Sequence, residues 1–151
     1  MKIYDGNGYI LGRLASYIAK DLLKGENVAL LNCEKLFITG NKKVIVDKYI
    51  ARRHVLLHQD PEHGPKWPRK PDLLVKRIIR GMLPYKSPRG RLAQRKLKVY
   101  MGVPEQLREI ENKAENVMNA KTKEGQKGID IEKLCQNLGY QIKRWVNGWW
   151  R

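Results

Sequence analysis

Residues 2–31, KIYDGNGYILGRLASYIAKDLLKGENVALL, decide the fold class. Residues 2–4 suit a short strand, and Asp5-Gly6-Asn7-Gly8 is turn chemistry. Leu14, Ala15, Ile18, Ala19, Leu22 and Leu23 then recur at helical spacing, and Lys24-Gly25 supplies a basic last turn and a glycine stop. Residues 28–31 are continuously apolar, as in a strand buried on both faces. A strand, a helix and a second strand in that order predict an α/β domain around a mostly parallel sheet.

The rest of the chain extends this pattern. Residues 36–39 extend or follow the second strand, and Gly40-Asn41 breaks it. Over 42–55, Val44, Ile45 and Val46 favour a strand by β-branching, whereas Val46, Tyr49 and Ile50 share a helical face; length favours the helix. Residues 59–71 read as a loop with four prolines, three bases and Trp67. A helix follows from Asp72, with Leu74, Val75, Ile78, Ile79 and Met82 as its apolar stripe and Lys76, Arg77 and Arg80 on another face. Pro84 ends it, and 85–96 read as a basic loop. Leu97, Val99 and Met101 alternate with Lys98 and Tyr100 as in a strand. A helix is expected over 106–118, a polar linker over 121–128, and a short helix over 131–138 before a Trp-rich end. This divides the chain into an α/β body, 1–119, and a linker with a small helical C-terminal extension, 120–151.

Charge points to the partner. The chain has 151 residues and a formal charge of +16, with an apolar content of 42% that permits a real core. Residues 42–98 hold seventeen bases against four acids; all other residues together contribute only +3. Residues 66–98, KWPRKPDLLVKRIIRGMLPYKSPRGRLAQRKLK, carry twelve Lys or Arg and one acid, Asp72. Ordinary solvated helix faces interleave acids at i±4. Here Lys76, Arg77 and Arg80 have only Asp72 within reach, and Lys86, Arg89, Arg91, Arg95 and Lys96 follow with no acid between them. Such dense like charge repels itself until phosphates neutralise it, which predicts nucleic acid as the partner. The candidate nucleic-acid-binding residues are these eight with Arg13, Lys42, Lys43, Arg52, Arg53, His54, Lys66, Arg69 and Lys70. Trp67 and Tyr85 suit stacking on an unpaired base or packing on the protein, and Trp145, Trp149 and Trp150 suit packing over stacking.

Sharper chemical readings fare less well. Gly6, Gly8 and Gly12, with Glu34 after the second strand, resemble a dinucleotide fingerprint, but the G-x-G-x-x-x-G spacing is one residue too long. His54 and His58 at i, i+4, with His63 nearby, lack the glutamate of an HExxH motif and any close cysteine. No nucleophile–base grouping can be argued from spacing, and no helix-turn-helix or zinc signature marks a DNA regulator. Cys33 and Cys135, without CxxC spacing, suit a reducing cytosol. No segment approaches the ~20 apolar residues of a membrane span, and no signal-peptide core is evident. The expectation is a cytoplasmic protein with no cofactor, metal or small-molecule substrate.

Two stretches resemble a known family. Residues 5–42, DGNGYILGRLASYIAKDLLKGENVALLNCEKLFITGNK, are similar to the opening of the large-subunit ribosomal protein L-thirteen family. Residues 75–102, VKRIIRGMLPYKSPRGRLAQRKLKVYMG, resemble its signature segment. The resemblance implies a three-layer α/β/α fold around a four-stranded parallel sheet. It also implies a structural, non-enzymatic constituent of the large ribosomal subunit that binds and stabilises folded rRNA, during assembly and in the mature particle, beside neighbouring ribosomal proteins. The family's RNA-facing motif falls here on Arg77, Arg80, Gly81, Met82, Pro84, Gly90 and Arg91, its LGRLAS motif on 11–16 and its TGNK turn on 39–42. Val103-Pro104-Glu105-Gln106 stands where bacterial members carry His-Pro-His, which is similar to the archaeal or eukaryotic branch. Beyond about Asn119 the motifs do not extend.

Overall fold

The structure is a computed structural model that describes residues 1–55, 61–107, 114–115, 117–122 and 125–141. Strand β1 (Lys2–Asp5) buries Ile3 and Tyr4 on opposite faces. The chain then turns through Gly6 and Gly8. Gly8 has φ +74°, and a Cβ on Gly6 would meet the Asn32 carbonyl oxygen at 2.6 Å, so both positions need glycine. Helix α1 (Leu11–Lys24) buries Leu11, Leu14, Ala15, Ile18, Ala19 and Leu22 and closes on Gly25 at φ 97°, whose N–H donates to the Asp21 and Leu22 carbonyls. Strand β2 (Val28–Leu31) is buried throughout. It is the centre of a parallel sheet, with Lys2 opposite Val28 on one side and Val28 opposite Leu97 on the other.

Helix α2 (Lys42–His54) resolves the ambiguity of 42–55 in favour of the helix, capped by the Asn41 side chain, which accepts from the Lys43 N–H. Helix α3 (Pro71–Gly81) buries Leu74, Val75 and Ile79. The expected stripe is narrower at its end: Ile78 is half-buried, and Met82, which caps the helix after Gly81, is 41% exposed. Strand β4 (Leu97–Val99) completes the three-stranded parallel sheet. Tyr4, Val28, Leu30 and Leu97 belong to the large core with α1 and α3, whereas Ile3, Ala29 and Leu31 meet Tyr100, Val103, Leu107 and Ala114 on the other face. Each fully buried Leu or Ile contributes about 1.5–3 kcal/mol by its removal from water.

Two expectations change. Residues 85–96 are not all loop: helix α4 (Pro88–Arg95) begins at Ser87, whose hydroxyl accepts from the Gly90 N–H at 3.2 Å, with Pro88 at the first helical position. Three parallel strands, rather than four, are present among the described residues. After β2 the chain leaves the sheet through Asn32 in the left-handed region (φ 49°) and a 3-10 turn at Cys33–Lys35. Strand β3 (Phe37–Thr39) instead pairs antiparallel with β5 (Gly128–Asp130). That pairing spans position 119/120, and helix α5 (Ile131–Asn137) buries Ile131, Leu134 and Cys135 in the same core as α1 and α3. Thr122 and Lys127, in the stretch read as a linker, bond to Gly8 and Gly40.

Of the helix expected over 106–118, residues 108–113 and 116 lie outside the described residues, as do His58, Trp145, Trp149 and Trp150. The ends that are described form 3-10 turns at Glu105–Leu107 and Met118–Ala120, and Glu115 donates its N–H to the Ile3 carbonyl at the edge of β1. Cys33 and Cys135 are free and buried; burial, then the nearby Asp72 charge, pushes the Cys135 thiol up to about 12. Among the described residues no helix is long and apolar enough to cross a membrane.

Candidate nucleic-acid interface

The basic residues sit mainly on α2, α3, α4 and the segment that precedes α3. In the last turns of α2, Arg52 lies three residues after Tyr49 and therefore on the same helical face. Its guanidinium is 5.5 Å from the Tyr49 ring centre and 4.8 Å from that of Trp67. Tyr49 and Trp67 meet edge to face, 6.0 Å between centroids. Arg77, from α3, lies 4.5 Å from the Trp67 ring centre and donates to the Lys66 carbonyl at 2.9 Å. The half-buried Trp67 thus packs against the protein and fixes two guanidiniums near the surface. Arg80 lies over Tyr85 at 4.7 Å.

These segments enclose an open groove of about 380 Å³. Lys66, Lys76, Arg77 and Arg80 line it, with Trp67, Pro68 and Leu73 as apolar walls and the Gln94 amide contributed by α4. The groove gathers four of the seventeen candidate residues; the rest are distributed. Lys42 and Lys43 line a different hollow, with Lys133 opposite them. Arg13 donates to the Asn119 carbonyl at 3.3 Å, and Arg53 to the Leu138 carbonyl at 3.0 Å behind α5. Arg89 and Lys96 converge on the C-terminus of α1, donating to the Leu23 and Gly25 carbonyls at 3.2 and 2.6 Å. Lys86, Arg91 and Arg95 are exposed, as is Arg69.

Electrostatically the surface is as unbalanced as the sequence predicts. Among the described residues, the only ion pair that engages a base in 42–98 is Lys70–Asp72 at 3.0 Å, whose hydrogen bond raises the lysine pKa. The other sixteen candidate residues have no carboxylate partner among the described residues.

The features behind the alternative readings are engaged in the fold. Glu34 accepts from the Gly102 N–H at 3.1 Å. Thr122 donates its N–H and its hydroxyl to the Gly8 carbonyl. Gly12 is exposed, with open space where a Cβ would go, so it does not perform the close-packing role of a fingerprint's third glycine. The His54 ring sits 2.8 Å from the Ile50 carbonyl. No three His, Cys, Asp or Glu side chains gather around a common point among the described residues.

Leu73, Pro68 and Gln94 were not legible as groove residues, because uncharged side chains carry no signal in a charge count. Tyr49 was legible in principle from its spacing to Arg52. Lys133 lies beyond the recognisable motifs.

Comparison with known proteins bears on the whole chain. The sequence model of the family described as "Ribosomal protein L13" matches residues 1–106. The stretches 5–42 and 75–102 both fall within that match. "Large ribosomal subunit protein uL13" of Archaeoglobus fulgidus is 43% identical over 141 residues, covering 92% of this chain and 88% of the relative. The protein of the same name from Methanocaldococcus jannaschii is 41% identical over 140 residues, covering 92% and 98%. That of Methanococcus maripaludis is 48% identical over 106 residues, covering 70% and 77%. A match over most of the α/β body, and relatives aligned almost end to end, place this chain in the Ribosomal protein L13 family.

Proposed function

We propose that the chain is a structural constituent of the large ribosomal subunit, held there by folded large-subunit rRNA and by neighbouring ribosomal proteins. The carrying observation is the cationic surface of α2, α3 and α4, whose bases lack acidic partners among the described residues. A rigid α/β body presents these cations at fixed positions. Each phosphate they neutralise releases condensed counterions, and a folded RNA is then held by backbone and shape more than by sequence. The chain is not an enzyme: its family is one of ribosomal structural proteins, and the cations serve as fixed countercharge in the particle and during its assembly. Arg80 and Arg91, exposed and on the family's signature segment, are the residues expected to face RNA.

Sedimentation of a tagged chain through a sucrose gradient tests this. The chain should travel with large subunits, and the Arg80→Ala/Arg91→Ala double variant should be depleted from them. A chain that stays at the top of the gradient in cells making ribosomes would refute the assignment.

A further inference from the structure

We propose that the groove between residues 66–68 and the α3–α4 pair receives one unpaired nucleotide of RNA, its base against Arg77 and Trp67 and its phosphate between Lys76 and Arg80. This rests on the RNA-docking reading above and specifies which part of an RNA the groove takes.

Four features of the groove point to that ligand. The first is a flat, pre-set stacking surface. Arg77 is held over Trp67 at 4.5 Å and tied to the Lys66 carbonyl at 2.9 Å, so its plane is ordered before any ligand arrives. Unstacked bases pack on aromatic rings and on guanidinium planes. The second is an apolar wall inside a cationic field: Leu73 is 51% exposed on the groove side of α3, beside Pro68. A phosphate contact alone has no use for a Leu side chain, whereas a base edge or ribose does. The third is Gln94, a neutral amide with both donors and an acceptor, suited to a base edge. The fourth is size and charge placement. About 380 Å³ lies at the small end of ligand sites, and Lys76 and Arg80, at i and i+4, line the same wall. A duplex cannot enter such a groove, and an extended acidic peptide would satisfy the cations but leave the stacking plane and the amide unused.

The test uses the purified full-length chain and three RNAs at one salt concentration: a duplex with a single bulged adenosine, the same duplex with an abasic bulge, and the unbulged duplex. Fluorescence anisotropy should show the bulged RNA bound about tenfold more tightly than either of the others, as a single base stack gives. Arg77→Ala with Gln94→Ala, both at partly exposed positions and together removing the stacking plane and the amide, should abolish that preference. In the unmodified chain, 4-thiouridine placed at the bulge should photocrosslink to peptides containing residues 66–80 or 94.

Equal affinity for all three RNAs, each still weakened by salt, would overturn the groove assignment and leave RNA docking standing. No binding of any RNA would overturn both. A preference that survives the double variant, or crosslinks confined to other peptides, would place the nucleotide elsewhere and refute the proposal. Displacement of the bulged RNA by a decaglutamate peptide, matched by no effect of removing the base, would reassign the groove to an acidic protein partner.

Discussion

Arg89 donates a guanidinium N–H to the Leu23 carbonyl at 3.2 Å, joining α4 to the C-terminus of α1 across 66 positions of sequence. Lys96 does the same for the Gly25 carbonyl at 2.6 Å. Helix C-termini leave carbonyls without intrahelical partners and carry partial negative charge, so two cations there complete α1. The basic residues of 85–96 therefore differ in kind, although their sequence context is uniformly basic.

That difference gives the first prediction. Arg89→Ala and Lys96→Ala should each lower stability by about 0.5–1 kcal/mol, through a lost cap bond. Arg80→Ala with Arg91→Ala should stay within about 0.5 kcal/mol of wild type apiece, as surface changes do, while weakening RNA binding. Urea denaturation of the four variants reads the first quantity and RNA affinity the second. Unfolding of the Arg80/Arg91 double variant would show that these arginines support the fold.

Gly90 makes the second test. It sits in the first turns of α4 with an ordinary helical backbone, yet a Cβ there would lie 2.1 Å from the Pro84 carbonyl oxygen and 2.4 Å from its carbon. Close approach, not positive φ, requires the glycine. Gly90→Ala should cost about 2–4 kcal/mol by forcing the 84–87 turn off α4. Unchanged thermal unfolding would mean that α4 and the turn can separate freely.

The apolar face of α3 is graded, and substitutions should follow the grading. Ile79 is fully buried, Ile78 half-buried and Met82 41% exposed. Ile79→Ala should cost about 2–5 kcal/mol, Ile78→Ala about half as much, and Met82→Ala less than about 0.5 kcal/mol. Equal losses at all three, measured by denaturant midpoint, would contradict the packing described.

How far this fold was legible depends on which physics each residue reports. Leu14, Ile18 and Leu22 announce α1 by spacing alone, and Val28-Ala29-Leu30-Leu31 announces a central strand, because burial on one stripe or on both faces leaves a direct imprint. The same imprint is missing from α4. Its core contacts are small, Gly90 and Ala93, and its start signal, Ser87 with Pro88, is also turn chemistry. The antiparallel β3–β5 pair depends on residues 89 to 93 positions apart that no local pattern links. The charge surplus located the interface region, but not the roles within it. Trp67 brings together Arg52 and Arg77, which are 25 residues apart in sequence, so only the fold shows that arrangement.

A polar triad with two buried members, Tyr4 and Asp21, and a partly exposed third, Lys2, sets the pH dependence. The Tyr4 hydroxyl donates to Asp21 at 2.7 Å, and Lys2 lies 3.0 Å from the same carboxylate. Burial opposes the Asp21 charge, but hydrogen bonds from Tyr4 and Lys2 hold its carboxyl below the ordinary 3.8. Burial, then hydrogen bonds to Asp21 and Glu115, push the Tyr4 hydroxyl well above its ordinary 10.0. A lowered carboxylate contributes stability above its unfolded value that is lost as pH falls through the folded one; a raised phenol contributes stability below its unfolded value that is lost as pH climbs past it. Stability should therefore decline below about pH 4 and again above about pH 10. Tyr4→Phe should cost about 1–3 kcal/mol at neutral pH, by removing a hydrogen bond to a buried charge, and should flatten the alkaline decline. Denaturation curves at several pH values check both; a variant with wild-type stability and an unchanged alkaline limb would contradict the triad's role.

The central claim, that fixed cations without acidic partners among the described residues dock this protein on rRNA, is tested most directly by the salt dependence of its affinity for a large-subunit rRNA fragment. With ~6 phosphates neutralised, log affinity should fall linearly with log salt, by about a thousandfold between ~50 and ~200 mM. A nearly flat plot would contradict electrostatic docking by the α2–α4 surface.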